Sequence, residues 1–146
     1  MSAGKVSLRR TAAIAALAAI LAGTAHGGVV LDGSLGLAGT LSGPNYAIGA
    51  NLGRQVGGNL FHSFSSFSLA ATESATFSGP ATAVNIVGRV TGGNLSSIDG
   101  RIASMIPGAN IYLLNPAGIV FGPNAKLDVA GSAFFTTASH LFLGNG

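Results

Sequence analysis

From Asn110 to Ser139 the chain is a series of short apolar runs, each stopped by turn residues. Ile111 to Leu114 is cut by Asn115-Pro116-Ala117-Gly118, and Ile119 to Phe121 by Gly122-Pro123-Asn124. Lys126 to Val129 and Ala133 to Thr137 follow, parted by Ala130-Gly131. Runs of this length suit strands and are too short for helices. Pro116 fixes φ at the second position of a turn, Asn115 can bond back to a backbone N–H two residues on, and Gly118 closes the turn. Ala117 at the third position favours type I over type II, which wants Gly or Asn there. Ile111 to Leu114 is apolar on both faces and should be covered on both. Leu127 and Val129 share one face with charges on the other, as in a half-buried strand.

Strands so short, with turns so close, suit coils of β-structure that stack, because one coil cannot bury its apolar face alone. An antiparallel sandwich fits the same pattern, and both architectures stand open on the residues alone.

The start of the chain has a different texture. Lys5, Arg9 and Arg10 precede an Ala-rich apolar run, Thr11 to Ala22, which is too short to span a bilayer as a helix. Small residues follow it. Residues 1–25 read as a signal peptide for the general secretory machinery, cleaved after Ala25, which leaves a domain over 26–146. Those three cations also carry the whole excess charge: Arg54, Arg89, Arg101 and Lys126 balance Asp32, Glu73, Asp99 and Asp128 in the remainder. With no basic stripe, nucleic acid is not expected as a partner, and no stable membrane insertion is expected either. Cysteine is absent, so stability must come from stacking and hydrogen bonds.

Before the opening stretch, Asn59 to Leu69 reads as a strand rather than a helix, given its four serines and the preceding Gly57-Gly58. On strict alternation Phe61, Phe67 and Leu69 share a face, with Leu60 and Phe64 opposite. Gly49 to Gly58 is loop-like apart from Leu52 and Val56. Val84, Ile86 and Val90 share a face, with Val87 opposite. Ser96 to Gly100 reads as one capped helical turn.

Leu60-Phe61-His62-Ser63-Phe64-Ser65-Ser66-Phe67-Ser68-Leu69, then Asn85 to Ile102, then Leu114-Asn115-Pro116-Ala117-Gly118-Ile119, together resemble the filamentous haemagglutinin N-terminal domain, the secretion domain of two-partner secretion exoproteins. The resemblance covers Val29 to about Leu143. It implies a right-handed parallel β-helix with extra-helical capping strands. It also implies export to the periplasm, engagement of the periplasmic domains of an outer-membrane β-barrel transporter, and passage to the cell surface or medium as part of an adhesin- or haemagglutinin-like protein. The family's Asn-Pro-Asn-Gly-Ile motif matches Asn115, Pro116, Gly118 and Ile119, with Ala117 in place of the second Asn. Its Asn-Pro-Asn-Leu motif has no counterpart between Ser78 and Val90, which leaves the transporter subclass open. Asn115, Pro116, Ala117, Gly118 and Ile119, with Phe61, Phe64 and Phe67, are the candidates for transporter recognition or for holding the fold. The sequence reads as truncated at its C-terminal end, so its last coil is expected to have an uncapped edge.

Other chemistry finds little support. His26, His62 and His140 are too scattered for a local metal motif, and no metal or cofactor is expected. The serines lack nucleophile-elbow spacing, and no enzyme activity is expected. A secreted carbohydrate-binding or carbohydrate-active β-helix is the alternative. It would need clustered carboxylates or aromatic platforms, against four acidic residues, no Trp and two Tyr.

Overall fold

The computed structural model describes residues 27–144. The expected signal peptide and its cleavage point lie outside the described residues. In chain order the strands are β1 (Gly28–Asp32), β2 (Ala38–Thr40), β3 (Asn45–Gly49), β4 (Arg54–Val56), β5 (Asn59–Ser68), β6 (Ser74–Ser78) and β7 (Asn85–Val90). β8 (Ser96–Ile98), β9 (Arg101–Ser104), β10 (Asn110–Leu114), β11 (Ile119–Phe121), β12 (Lys126–Asp128) and β13 (Ala133–Thr136) complete them. A single 3-10 turn, Ala50–Leu52, joins β3 to β4. No helix among the described residues is long and apolar enough to cross a membrane.

The pairing decides between the two architectures. β5, β7, β10 and β13 stack in parallel as one side of a coil. β3, β6, β9 and β12 stack in parallel as a second side. β8 and β11 form the third, also parallel, extended upward by a bridge from Leu69 to Ile98. Successive coils of one chain can pair in parallel at every side only by winding as a solenoid, so the fold is a parallel β-helix and not a sandwich. At its N-terminal end β1 and β4 pair antiparallel with β5, and β2 pairs antiparallel with β1. These are the extra-helical capping strands.

The core is built of columns, one residue from each coil. Leu60, Ile86 and Ile111 are in register and at most 2% exposed. Tyr46, Ala75 and Ile102 form the facing column, and Leu69 and Ile98 the third. Phe64 meets Phe67 edge-on at 5.2 Å between ring centroids, in the geometry aromatic pairs prefer.

A second kind of column runs along the outer face. Asn59, Asn85 and Asn110 open their strands in register. Asn85 Nδ2 donates to Asn59 Oδ1 at 2.9 Å, Asn110 Nδ2 to Asn85 Oδ1 at 3.1 Å, and the Ser132 N–H to Asn110 Oδ1 at 2.9 Å. Each amide thus joins one coil to the next.

Several expectations change on contact with the packing. Phe64 and Phe67 both face inward with Leu60, while Phe61 lies outside. The register with β1 slips between Val30↔Ser66 and Leu31↔Phe64, leaving Ser65 as an extra residue. That bulge inverts the alternation and turns both rings into the core. Ser96 to Ile98 is a strand, not a helical turn, because Ile98 fills the third column and β8 pairs with β11. Asp99 caps no helix; it accepts from the Asn124 N–H of the next coil at 2.8 Å. Val84 is 56% exposed because it belongs to the turn before β7. The loop-like stretch before Gly58 holds the 3-10 turn and β4. Leu127, expected half-buried, is 51% exposed, since it ends its column with nothing stacked beneath it among the described residues.

Candidate functional site

Asn115 leaves β10 at a corner of the third coil and is 1% exposed. All of its polar groups are engaged. Its Nδ2 donates to the Asn94 carbonyl and to Ser96 Oγ, both at 2.9 Å, in the coil above. Its Oδ1 accepts from the Ala117 N–H at 3.0 Å, the local bond that an Asn at this place was expected to make. Its backbone N–H donates to the Thr136 carbonyl of the coil below at 2.9 Å, and its own carbonyl accepts from the Gly118 N–H at 3.0 Å. One residue therefore shapes the turn and ties three coils together, its side chain to the coil above and its backbone N–H to the coil below.

The rest of the motif divides by exposure. Pro116 and Ala117 are exposed at the tip. Ala117 keeps a negative φ, which excludes the type II turn. Gly118 has φ 120°, a region closed to other L-residues, so the glycine is required there. Its carbonyl accepts from the Ser96 N–H at 2.9 Å, starting the β8–β11 ladder with Ile119 opposite Ser96. A cleft of about 320 Å³ beside the tip is lined by Arg89, Thr91, Asn115, Pro116, Ala117 and Ser139.

The phenylalanines do not form one site with this turn. Phe64 and Phe67 are 0% and 1% exposed inside the upper coils. Phe61 is half-buried on the outer face, in the rung that continues through Val87 to Tyr112 and Phe134. Tyr112 and Phe134 stack at 4.7 Å between centroids.

Three features escaped the sequence reading. The asparagine column is one; its signal was Asn followed by Leu or Ile at intervals of 26 and 25 residues. The second is Asp32, which clamps the cap to the coils. Its Oδ2 accepts from Ser63 Oγ at 2.6 Å and Thr91 Oγ1 at 2.8 Å, and its Oδ1 from the Ser34 N–H at 2.9 Å. Burial alone would raise its pKa, but the bonds from Ser63, Ser34 and Thr91 outweigh it and lower it to about 2. The third is His62. It is 2% exposed between Phe64 and Phe77, and neither ring nitrogen has a hydrogen-bond partner. Burial lowers its pKa to about 4, only partly offset by the nearby Leu52 backbone.

Among the described residues no three His, Cys, Asp or Glu side chains converge as a metal site would require. The polar groups of the turn are spent on one another, so the arrangement offers geometry and surface rather than a reactive group. No curated protein matches the chain significantly. A family model described as TPS secretion domain matches residues 10–146, and with the stacked parallel coils and antiparallel cap in place, the chain belongs to that family, the secretion domains of two-partner secretion exoproteins.

Proposed function

We propose that this domain is the export signal of its exoprotein, recognised in the periplasm by the periplasmic domains of an outer-membrane β-barrel transporter and delivered to the cell surface or medium. A leader at residues 1–25 would bring it to the periplasm through the general secretory machinery, and an adhesin- or haemagglutinin-like protein is the product this route would serve. The observation that carries the reading is the family match across residues 10–146.

Within the site we assign two jobs to one motif. Asn115 holds the corner, since its side chain is buried and fully bonded. Pro116 and Ala117 present the tip to a partner, since both are exposed. Asn115→Ala strands the Asn94 carbonyl, Ser96 Oγ and the Ala117 N–H, and should cost about 1–3 kcal/mol. That is a sizeable share of the stability of a small domain. Pro116→Ser with Ala117→Asp should leave the melting temperature within a few degrees of the parent.

Two measurements on each variant separate the jobs: thermal stability of the purified chain, and binding to the transporter's isolated periplasmic domain. Asn115→Ala is expected to lower stability. The tip variant is expected to lose binding at near-parental stability. If the tip variant binds and is exported as the parent is, the tip is not the recognition element. If the parent chain is not exported when transporter and domain are produced together, the transport reading itself fails.

A further inference from the structure

Two apolar residues on the outward face of the β5–β7–β10–β13 sheet are buried although they point away from the core: Val87 at 6% exposure and Leu114 at 3%. Residues 139–143, the segment after β13, face them across a shared cleft, which Leu35 of the cap also lines. Ser139, His140, Leu141, Phe142 and Leu143 form one wall of a cleft of about 330 Å³, and Phe61, Val87, Arg89 and Leu114 lie across it. The segment alternates as an extended strand does: Leu141 and Leu143 are half-buried, and Phe142 between them is 97% exposed. Yet no backbone hydrogen bond joins residues 139–144 to the sheet. With no hydrogen bond to the sheet, its half-buried leucines are the anchors it shows, and a segment anchored that way is readily displaced.

The cleft has one polar demand that the strap leaves unmet. Arg89 is exposed beside Leu114, in the neighbouring coil of the same rung. Among the described residues it makes one long hydrogen bond, to Ser63 Oγ at 3.4 Å, and no ion pair. A guanidinium offers five donors in a fork that fits a carboxylate. Ser139 lies with Arg89 along both this cleft and the one beside the Asn115 turn, so an acidic group in the place of Ser139 would meet it.

We propose that this outer face is a peptide-binding surface, which residues 139–143 occupy as an intramolecular stand-in. Its ligand is an extended segment carrying two leucine-like side chains two residues apart, with an Asp or Glu two residues before the first of them. The segment that walls the cleft is itself such a peptide without the acid, which favours a peptide over a lipid. This surface goes beyond the export role and does not depend on it.

The test uses the full chain. L141S/L143S should free the strap while leaving the circular dichroism spectrum unchanged, and Met105→Ser, at an exposed position that lines neither cleft, is the control. The probe is a fluorescein-labelled peptide, Asp-His-Leu-Phe-Leu-Gly, followed by anisotropy. It should bind the released chain roughly tenfold more tightly than the parent, because the strap no longer competes. The Met105→Ser chain should behave as the parent does. Arg89→Gln in the released chain should weaken this peptide roughly tenfold but leave Ser-His-Leu-Phe-Leu-Gly unaffected. In the parent, saturating peptide should shift the methyl resonances of Val87 and Leu114, a readout that does not rely on the released variant folding. Equal binding to parent and released chains, indifference to Arg89→Gln, absent methyl shifts, or binding of dodecanoate but not of the peptide would each overturn the proposal.

Discussion

At the scale of single residues, Asn115 and His62 are both buried polar groups with opposite accounts. Asn115 has all its donors and acceptors filled; His62 has neither nitrogen filled. A buried polar group left unpaired costs stability, whereas an apolar side chain in its place can be neutral or better. His62→Leu should therefore match or exceed the parent in stability at neutral pH, despite removing an aromatic ring. The pH dependence adds a sharper expectation. The folded pKa of about 4 lies below the unfolded value of 6.5, so the unfolded chain binds the extra proton between those limits. Stability from this group is complete above 6.5 and is lost as pH falls toward 4. The loss amounts to something on the order of 3 kcal/mol. Asp32 acts lower, losing its contribution as pH falls from 3.8 through about 2, so the two groups titrate in separate windows. Urea unfolding of parent and His62→Leu across the upper window checks this: the parent midpoint should fall and the variant's should stay flat. Equal slopes would refute it. The Asn115 bond to Ala117 was legible in the sequence because it is local. The bonds to Asn94 and Ser96 were not, since they come from a different coil.

At the scale of elements, legibility followed the same division. Turn residues marked where β10 ends and β11 begins, because Pro116 and Gly118 act on the backbone beside them. Ser96 to Gly100 was misread because capping chemistry is local, while pairing with β11 is not. The direction of Phe64 and Phe67 depended on one extra serine, and alternation carries no mark of a bulge before the partner strand is known. The asparagine column shows how such coils are kept in register without disulfides. Asn85 stands in its middle, donating to one neighbour and accepting from the other, while Asn59 only accepts within the column. Each bond contributes about 0.5–1.5 kcal/mol net. Asn85→Ala removes two and Asn59→Ala removes one, so the first should lower the urea midpoint by about twice as much as the second. Equal shifts would mean that the amides act singly rather than as a column.

At the scale of the whole molecule, the two ends of the coil differ. At the upper end β1 and β4 cover β5, and Asp32 fastens the cap to two coils. At the lower end, among the described residues, β11, β12 and β13 each stand last in their sheets. The columns show the consequence. Tyr46, Ala75 and Ile102 are at most 4% exposed, but Leu127, next in register, is 51% exposed. Leu69 and Ile98 are at most 2% exposed, but Phe121 below them is 45% exposed. This end face thus combines uncovered core side chains with unpaired strand edges, the pairing that drives edge-to-edge association. Lys126 lines the hollow there with Phe121 and Leu127, and Asp128 on the same strand is paired with Arg101. A polypeptide of this sequence is expected to self-associate through that face as its concentration rises. Sedimentation velocity should show the average mass climbing with concentration. Phe121→Lys with Leu127→Lys places two more like charges on the face, so the doubly substituted chain should stay monomeric over the same range with an unchanged circular dichroism spectrum. A parent chain that remains monomeric throughout would show that two exposed columns and three open edges are not enough, and that the strap over the outer face or Lys126 already protects the fold.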